Sequence, residues 1–124
     1  MTIAGRDLQI LLHIVNYTLQ IEKTIERFGM DENQFLSDCI YRNAVSMPIM
    51  QIGELAKRLS PEFRKECSAV AWNQIIGMRN FFAHEYADMN LSKIWIAATE
   101  DIPRLKNTCE NILGENGVPI PEQS

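Results

Sequence analysis

Signals for β-structure are nearly absent from this sequence of 124 residues, and so are the marks of a secreted, membrane-spanning or metal-dependent protein. No apolar stretch approaches the ~18 residues that a bilayer span requires. The opening "MTIAGRDLQILLHIVNY" carries Asp7 and shows no small-residue cleavage site after an apolar run, so it does not read as a signal peptide. Three cysteines, Cys39, Cys67 and Cys109, are odd in number and widely spaced, which suits reduced thiols in a cytoplasm better than a disulfide framework or a zinc site. Histidine occurs twice, at His13 and His84, without a matching set of further ligands, so no metal site is assigned. A glycine-rich phosphate loop and a dinucleotide fingerprint are both missing, and no cofactor is expected. The net charge of −4 gives the chain no global attraction to nucleic acid, and any contact with a polyanion must come from a local patch. These absences together lead to an expectation of a soluble, cytoplasmic protein.

What is present is helical periodicity, in a composition 46% hydrophobic and 23% charged that suits one core. A first helix is predicted from Arg6 to Phe28, stopped by Gly29. It has two apolar stripes. Leu8, Leu11, Leu12, Val15 and Leu19 form one, and Ile10, Ile14, Tyr17, Ile21, Ile25 and Phe28 form the other, which makes the second a candidate surface for a partner subunit. "DENQ" from Asp31 reads as a capping box, opening a second helix that is expected to run to Leu59 with a kink or break at Pro48. Ser60 followed by Pro61 starts a short helix. A third main helix is placed over Ala71 to His84. The last begins at Asn90 and carries a stripe of Leu91, Ile94, Trp95, Ala98, Ile102, Leu105, Cys109 and Ile112, with Pro103 bending it. The expected fold is all-α: an up-and-down four-helix bundle with a short additional helix, over residues 1–113, followed by a polar, flexible tail over 114–124. The basic run "KRLSPEFRK" holds Lys57, Arg58, Arg64 and Lys65, and a solvated helix end is preferred over a polyanion site as its reading.

The stretch "RNFFAHEY", Arg79 to Tyr86, stands apart from the apolar "VAWNQIIGM" before it. On a helical wheel, Trp72, Ile75, Ile76, Phe82 and Ala83 all fall within about 60° of Arg79, which puts a permanent cation in the middle of the apolar face. Burial of a guanidinium requires an anionic or hydrogen-bonding partner, and Glu54 in "QIGELAKRL" is the one expected. Asn80 and His84 are four apart, and Arg79 and Tyr86 seven apart. The set suits phosphate chemistry: Arg79 and Asn80 orienting a phosphodiester, His84 moving a proton to or from a ribose 2′-hydroxyl or the leaving oxygen. One histidine is half of an acid–base pair, and two-fold symmetry would supply the other half. Read from the residues alone, the chain is a helical dimer with a buried polar site.

Arg-x4-His, here Arg79, Asn80, His84 and Tyr86, together with "IGELAKRLS", "AWNQIIGMRN" and "IW…EDIPRLK", resembles the HEPN superfamily and within it the HepT-like toxins. The resemblance covers about Arg6 to Leu113. It implies a homodimer with two motifs at a composite cleft, and a metal-independent endoribonuclease that attacks with the 2′-hydroxyl to leave a 2′,3′-cyclic phosphate. It further implies that Arg79 and His84 are catalytic, that Asn80 supports them beside the Glu54 already named as the partner of Arg79, and that Tyr86 accepts AMP from a cognate MntA-like nucleotidyltransferase antitoxin in a type VII toxin–antitoxin system. The competing reading is a non-catalytic HEPN module that binds a nucleotidyltransferase or nucleotide. A purely structural helical dimer ranks last, because it gives no reason for the polar cluster.

Overall fold

In the computed structural model, residues 3–80 and 91–121 are described. The chain is an all-α bundle, and none of the described helices is long and apolar enough to cross a membrane. Helix α1 spans Gly5–Phe28 and ends as the sequence predicts, at Gly29, whose φ of 105° is open to glycine and strained for other residues. Its N–H bonds back to the Ile25 carbonyl at 2.7 Å, closing the last turn. Both apolar stripes of α1 are covered by the chain itself: Leu11, Ile14, Val15 and Ile21 are fully buried, and Ile10, Leu19 and Ile25 nearly so. Helix α3, Cys39–Arg58, packs on α1 from one side and α7, Ile102–Glu115, from the other. The second stripe is therefore not left over for a partner subunit. The two-faced pattern reflects a central helix within a single bundle, in which each fully buried aliphatic side chain contributes about 1.5–3 kcal/mol.

The second helix is two helices. Asp31 caps α2, Glu32–Ser37, through the Asn33 N–H, but the Asp31 N–H bonds the Gly29 carbonyl, so the expected box with Gln34 is reduced to its N-cap half. The chain then breaks at Asp38, ten residues before the Pro48 at which a break was expected. Asp38 takes up an extended conformation (φ −117°, ψ 107°), and its carboxylate accepts from the N–H groups of Ile40 and Tyr41, so it N-caps α3. Pro48 lies inside α3, which runs through it without interruption, and its ring is buried in the core. The missing Pro48 N–H costs one backbone hydrogen bond, a loss that burial of the ring among core side chains offsets. The break at Asp38 lets Phe35 of α2 fold onto Tyr41, edge to face at 5.4 Å, while Phe28 stacks on Tyr41 at 4.8 Å and Trp95 meets Phe35 at 5.3 Å. The Tyr41 hydroxyl donates to the Gly29 carbonyl at 2.7 Å, tying this aromatic end of the bundle to the α1 stop.

Ser60 caps α4, Pro61–Glu66, with Pro61 in its first turn as predicted. Asp7, only 3% exposed, accepts from the Ser60 N–H at 2.9 Å and from the Ser60 hydroxyl at 2.7 Å, joining the start of α1 to the α3–α4 corner. Helix α5 spans Trp72–Gly77 and tightens into a 3-10 turn over Met78–Asn80. Helix α6, Leu91–Ile96, passes into α7 through a π turn over Ala97–Asp101 in which the Ile102 N–H reaches back to the Ala97 carbonyl. The irregularity attributed to Pro103 is thus absorbed one turn earlier, by widening instead of a break. The apolar stripe holds through it, with Ile94, Trp95, Ala98, Ile102, Leu105 and Cys109 buried. Helix α7 is tied to α1 by a Lys106–Glu22 ion pair at 2.8 Å. It ends at Glu115, where the Val118 N–H bonds the Leu113 carbonyl and Gly117 takes φ 70°, so residues 115–118, placed above in a flexible tail, close the helix.

The Asp7–Ser60 link is a buried, charge-assisted pair of bonds between elements far apart in sequence. Asp7→Ala is expected to lower unfolding free energy by about 2–3 kcal/mol, read by urea denaturation. A change under about 0.5 kcal/mol, the range of an idle surface substitution, would show that the link holds nothing.

Candidate active site

The segment carrying Arg79 is fixed by its backbone. Gly53, buried in α3, lies where that helix crosses α5 and the 3-10 turn. A Cβ built on Gly53 would sit 2.7 Å from the Arg79 backbone nitrogen, 3.0 Å from the Arg79 Cβ and 3.1 Å from the Ile75 carbonyl oxygen. Only a residue without a side chain lets the two backbones come so close. Glycine within a helix costs about 1 kcal/mol relative to alanine, a loss this contact offsets. Sequence reasoning missed Gly53, although a glycine within the otherwise continuous apolar run of α3 was the available signal.

Arg79 does not lie in the middle of the apolar face. From Met78 to Asn80 the chain turns as a 3-10 helix, so Met78 eclipses Ile75 and takes the inward position, while Arg79 is carried to the rim. Ile75 and Met78 are accordingly buried, and the Arg79 side chain is 30% exposed. The wheel fails here because it assumes 100° per residue throughout. The pairing with Glu54 is present, with Arg79 Nη1 3.4 Å from Glu54 Oε1. That separation is long for a charge-assisted hydrogen bond, and Glu54 is 49% exposed, so solvent screens the pair and it contributes at most about 1 kcal/mol. Arg79 Nε is buried and has no partner among the described residues. The guanidinium is therefore held from behind by the fold and only loosely engaged by Glu54, with donors left for an anion.

Asn80 is exposed at the end of the same turn. His84 and Tyr86 lie outside the described residues, as do Phe82, Ala83 and Asn90. His13 is exposed on α1, remote in sequence from this turn. Among the described residues no group of His, Cys, Asp and Glu is placed to hold a metal ion. Two of the thiols are poor nucleophiles: burial pushes Cys67 up, and burial, with Cys67 and Glu110 nearby, pushes Cys109 up to about 12.

With the geometry in place, comparison with known proteins is informative. The family described as "Ribonuclease HepT-like" matches residues 17–112. A candidate RNase of Caldanaerobacter subterraneus subsp. tengcongensis is 36% identical over 95 residues, covering 76% of this chain and 85% of its own length. One of Methanocaldococcus jannaschii is 28% identical over 100 residues, covering 81% of this chain and 87% of its own. A candidate ribonuclease HepT of Thermococcus cleftensis is 30% identical over 78 residues, covering 63% and 71%. No solved structure gives a significant match. The chain belongs to the HepT-like family of HEPN proteins, as the resemblance of its sequence implies.

Because the Arg79–Glu54 pair is half exposed, Glu54→Gln is expected to change unfolding free energy by less than about 1 kcal/mol in a thermal or urea melt. A loss of 3 kcal/mol or more, the signature of a broken buried pair, would contradict this account of how Arg79 is held.

Proposed function

We propose that this HepT-like chain is a metal-independent endoribonuclease working as a homodimer, with Arg79 and His84 as its catalytic residues. The observation that carries the reading is the Arg79 side chain: 30% exposed, fixed through its backbone against α3, and only loosely paired with Glu54 at 3.4 Å. Such a group is prepared for a phosphodiester, whose charge it offsets without first being ordered. Membership of a family described as ribonuclease supports the same chemistry.

In the proposed reaction the ribose 2′-oxygen attacks the adjacent phosphorus as the P–O5′ bond breaks. The 2′-hydroxyl proton passes to a base and the leaving 5′-oxygen receives one from an acid, giving a 2′,3′-cyclic phosphate and a 5′-hydroxyl. Arg79 steadies the phosphoryl oxygens, Asn80 supports it, and Glu54 keeps the guanidinium oriented between turnovers. The two His84 side chains of a dimer provide one base and one acid. Tyr86 is the proposed acceptor of AMP from an MntA-like nucleotidyltransferase: its phenolic oxygen attacks the α-phosphorus of ATP, pyrophosphate leaves and the phenolic proton is released. An adenylyl group seven residues from Arg79 places an anion where substrate phosphate belongs, which suits silencing of a toxin within a type VII toxin–antitoxin pair.

The α1 stripe being covered internally, the dimer face is assigned to α3. Ile40 and Met47 are 67% and 55% exposed, and with Glu54 they stand seven residues apart on one line of the helix. Two copies joined along that line cover apolar surface that a monomer leaves in water.

Two measurements test the proposal. Unmodified protein incubated with RNA in EDTA is expected to produce cyclic-phosphate ends, and His84→Ala is expected to lose at least about a hundredfold in rate with its fold intact. Persistent cleavage by a folded His84→Ala sinks the assignment, and intact RNA with both proteins favours the non-catalytic binding module. Met47→Glu is expected to shift the protein to monomer in sedimentation and to remove cleavage with the dimer. A dimer unchanged by Met47→Glu places the interface elsewhere.

A further inference from the structure

A cleft of about 570 Å³ opens between α4 and the start of α5, away from the Arg79 turn. Arg64 and Lys65 line it from α4, Ser68 from the turn that follows, and Asn73 from α5. Trp72 forms part of its wall and is held there by its Nε1–H bond to the Cys67 carbonyl at 2.9 Å. The lining contains no acidic residue. Glu62 and Glu66 share the helix with Arg64 but fall about 160° and 200° around it. Arg64 Nε is buried and has no partner among the described residues, and none of the described ion pairs involves Arg64 or Lys65. In a chain of net charge −4, two cations in an acid-free hollow form a local site for an anion. The basic run therefore divides: Lys57 and Arg58 lie exposed in the last turn of α3, while Arg64 and Lys65 belong to a cleft.

From this cleft one exposed face leads to the Arg79 turn. Asn73, Gly77 and Asn80 are all exposed. Steps of 100° per residue in α5 and 120° in the 3-10 turn bring Asn80 back to within about 40° of Asn73, about 12 Å further along. Between them stands Gly77, which has no positive φ and whose added Cβ meets nothing described within 4 Å. Among the described residues, neither a turn nor packing asks for glycine there. A bare stretch of helix surface does allow a chain from outside to lie close.

We propose that the cleft holds a backbone phosphate of single-stranded RNA and that the Asn73–Gly77–Asn80 face carries the strand from it to Arg79. The inference rests on the reading of the protein as an enzyme acting on RNA, and it names where the substrate is anchored outside the motif.

The test is binding of a 2′-O-methyl oligonucleotide, which lacks the nucleophile and is not turned over, followed by fluorescence anisotropy across a salt series with the full chain. Arg64→Gln/Lys65→Gln is expected to weaken binding about tenfold near 0.1 M salt. Its log–log salt slope should be shallower by about 0.7, since the cleft holds one phosphate and each single-strand phosphate contact contributes about 0.7. Lys23→Gln/Arg27→Gln on α1, the same change of charge elsewhere, should weaken binding less than about twofold, and the charge-keeping Arg64→Lys/Lys65→Arg should retain most of the affinity. Gly77→Glu, which puts a like charge on the track, should weaken binding without touching the cleft. An unchanged slope in the cleft variant, equal losses in both charge pairs, or no binding by wild type overturns the proposal. Cleavage of unmodified RNA, measured alongside, reports separately on the enzymatic reading. Slope-dependent binding without cleavage would leave the anchor standing and remove the nuclease.

Discussion

The approach of α3 to the Arg79 turn is a contact between two backbones, and the rest of the site depends on it. Gly53 offers no side chain, so the Arg79 nitrogen lies only 2.7 Å from where any other residue would place its Cβ. This closeness lets the turn tighten into a 3-10 geometry with Met78 inward, and the tightening delivers Arg79 to the rim with its side chain partly in solvent. The Glu54 pair comes second: at 3.4 Å and half exposed it biases a rotamer more than it stores stability. An active-site cation placed by main-chain packing keeps its position when a ligand competes for its side-chain partner. That is the property a phosphate-binding arginine needs.

The same economy governs the bundle. α1 is covered on both faces by its own chain, and the large apolar side chains left in water lie elsewhere, at Met30, Ile40, Met47, Ile96 and Ile120, with Ile40 and Met47 on α3. The helix that fixes Arg79 from inside thus presents the exposed line from outside. Asp7 holds the far end of that frame by joining the start of α1 to the α3–α4 corner, from which the cleft with Arg64 and Lys65 opens. Site, proposed dimer face and proposed anchor all use α3 or the segments packed directly against it.

Much of this was legible in the sequence where one local rule decides. Gly29 stops α1, Ser60 and Pro61 start α4, and the apolar stripes of α1 and the last helix mark core residues. Misreadings arose where two rules compete or where tertiary contacts choose. Asp38 breaks the second helix and Pro48 does not, because a carboxylate able to cap two N–H groups outweighs a proline whose ring is buried. Arg79 left the apolar face because the wheel cannot anticipate a 3-10 turn. The second stripe of α1 looked available for a partner because periodicity reports that a face is apolar, not what covers it. Gly53 passed unnoticed for a related reason: its meaning lies in a residue 26 positions away. The family was legible because its motif and flanking segments are read as identities, without needing the geometry of His84 and Tyr86.

The most direct test of this account is to measure the RNA-cleavage rate and the urea-unfolding curve of Gly53→Ala on the same preparation. An alanine Cβ must push the Arg79 backbone away, and a displacement near 1 Å at a reacting group lowers rate on the order of a hundredfold. The account predicts cleavage reduced to that extent in protein that still unfolds cooperatively. Wild-type cleavage in a folded Gly53→Ala protein would contradict it, showing that the α3 contact does not place the arginine proposed as catalytic.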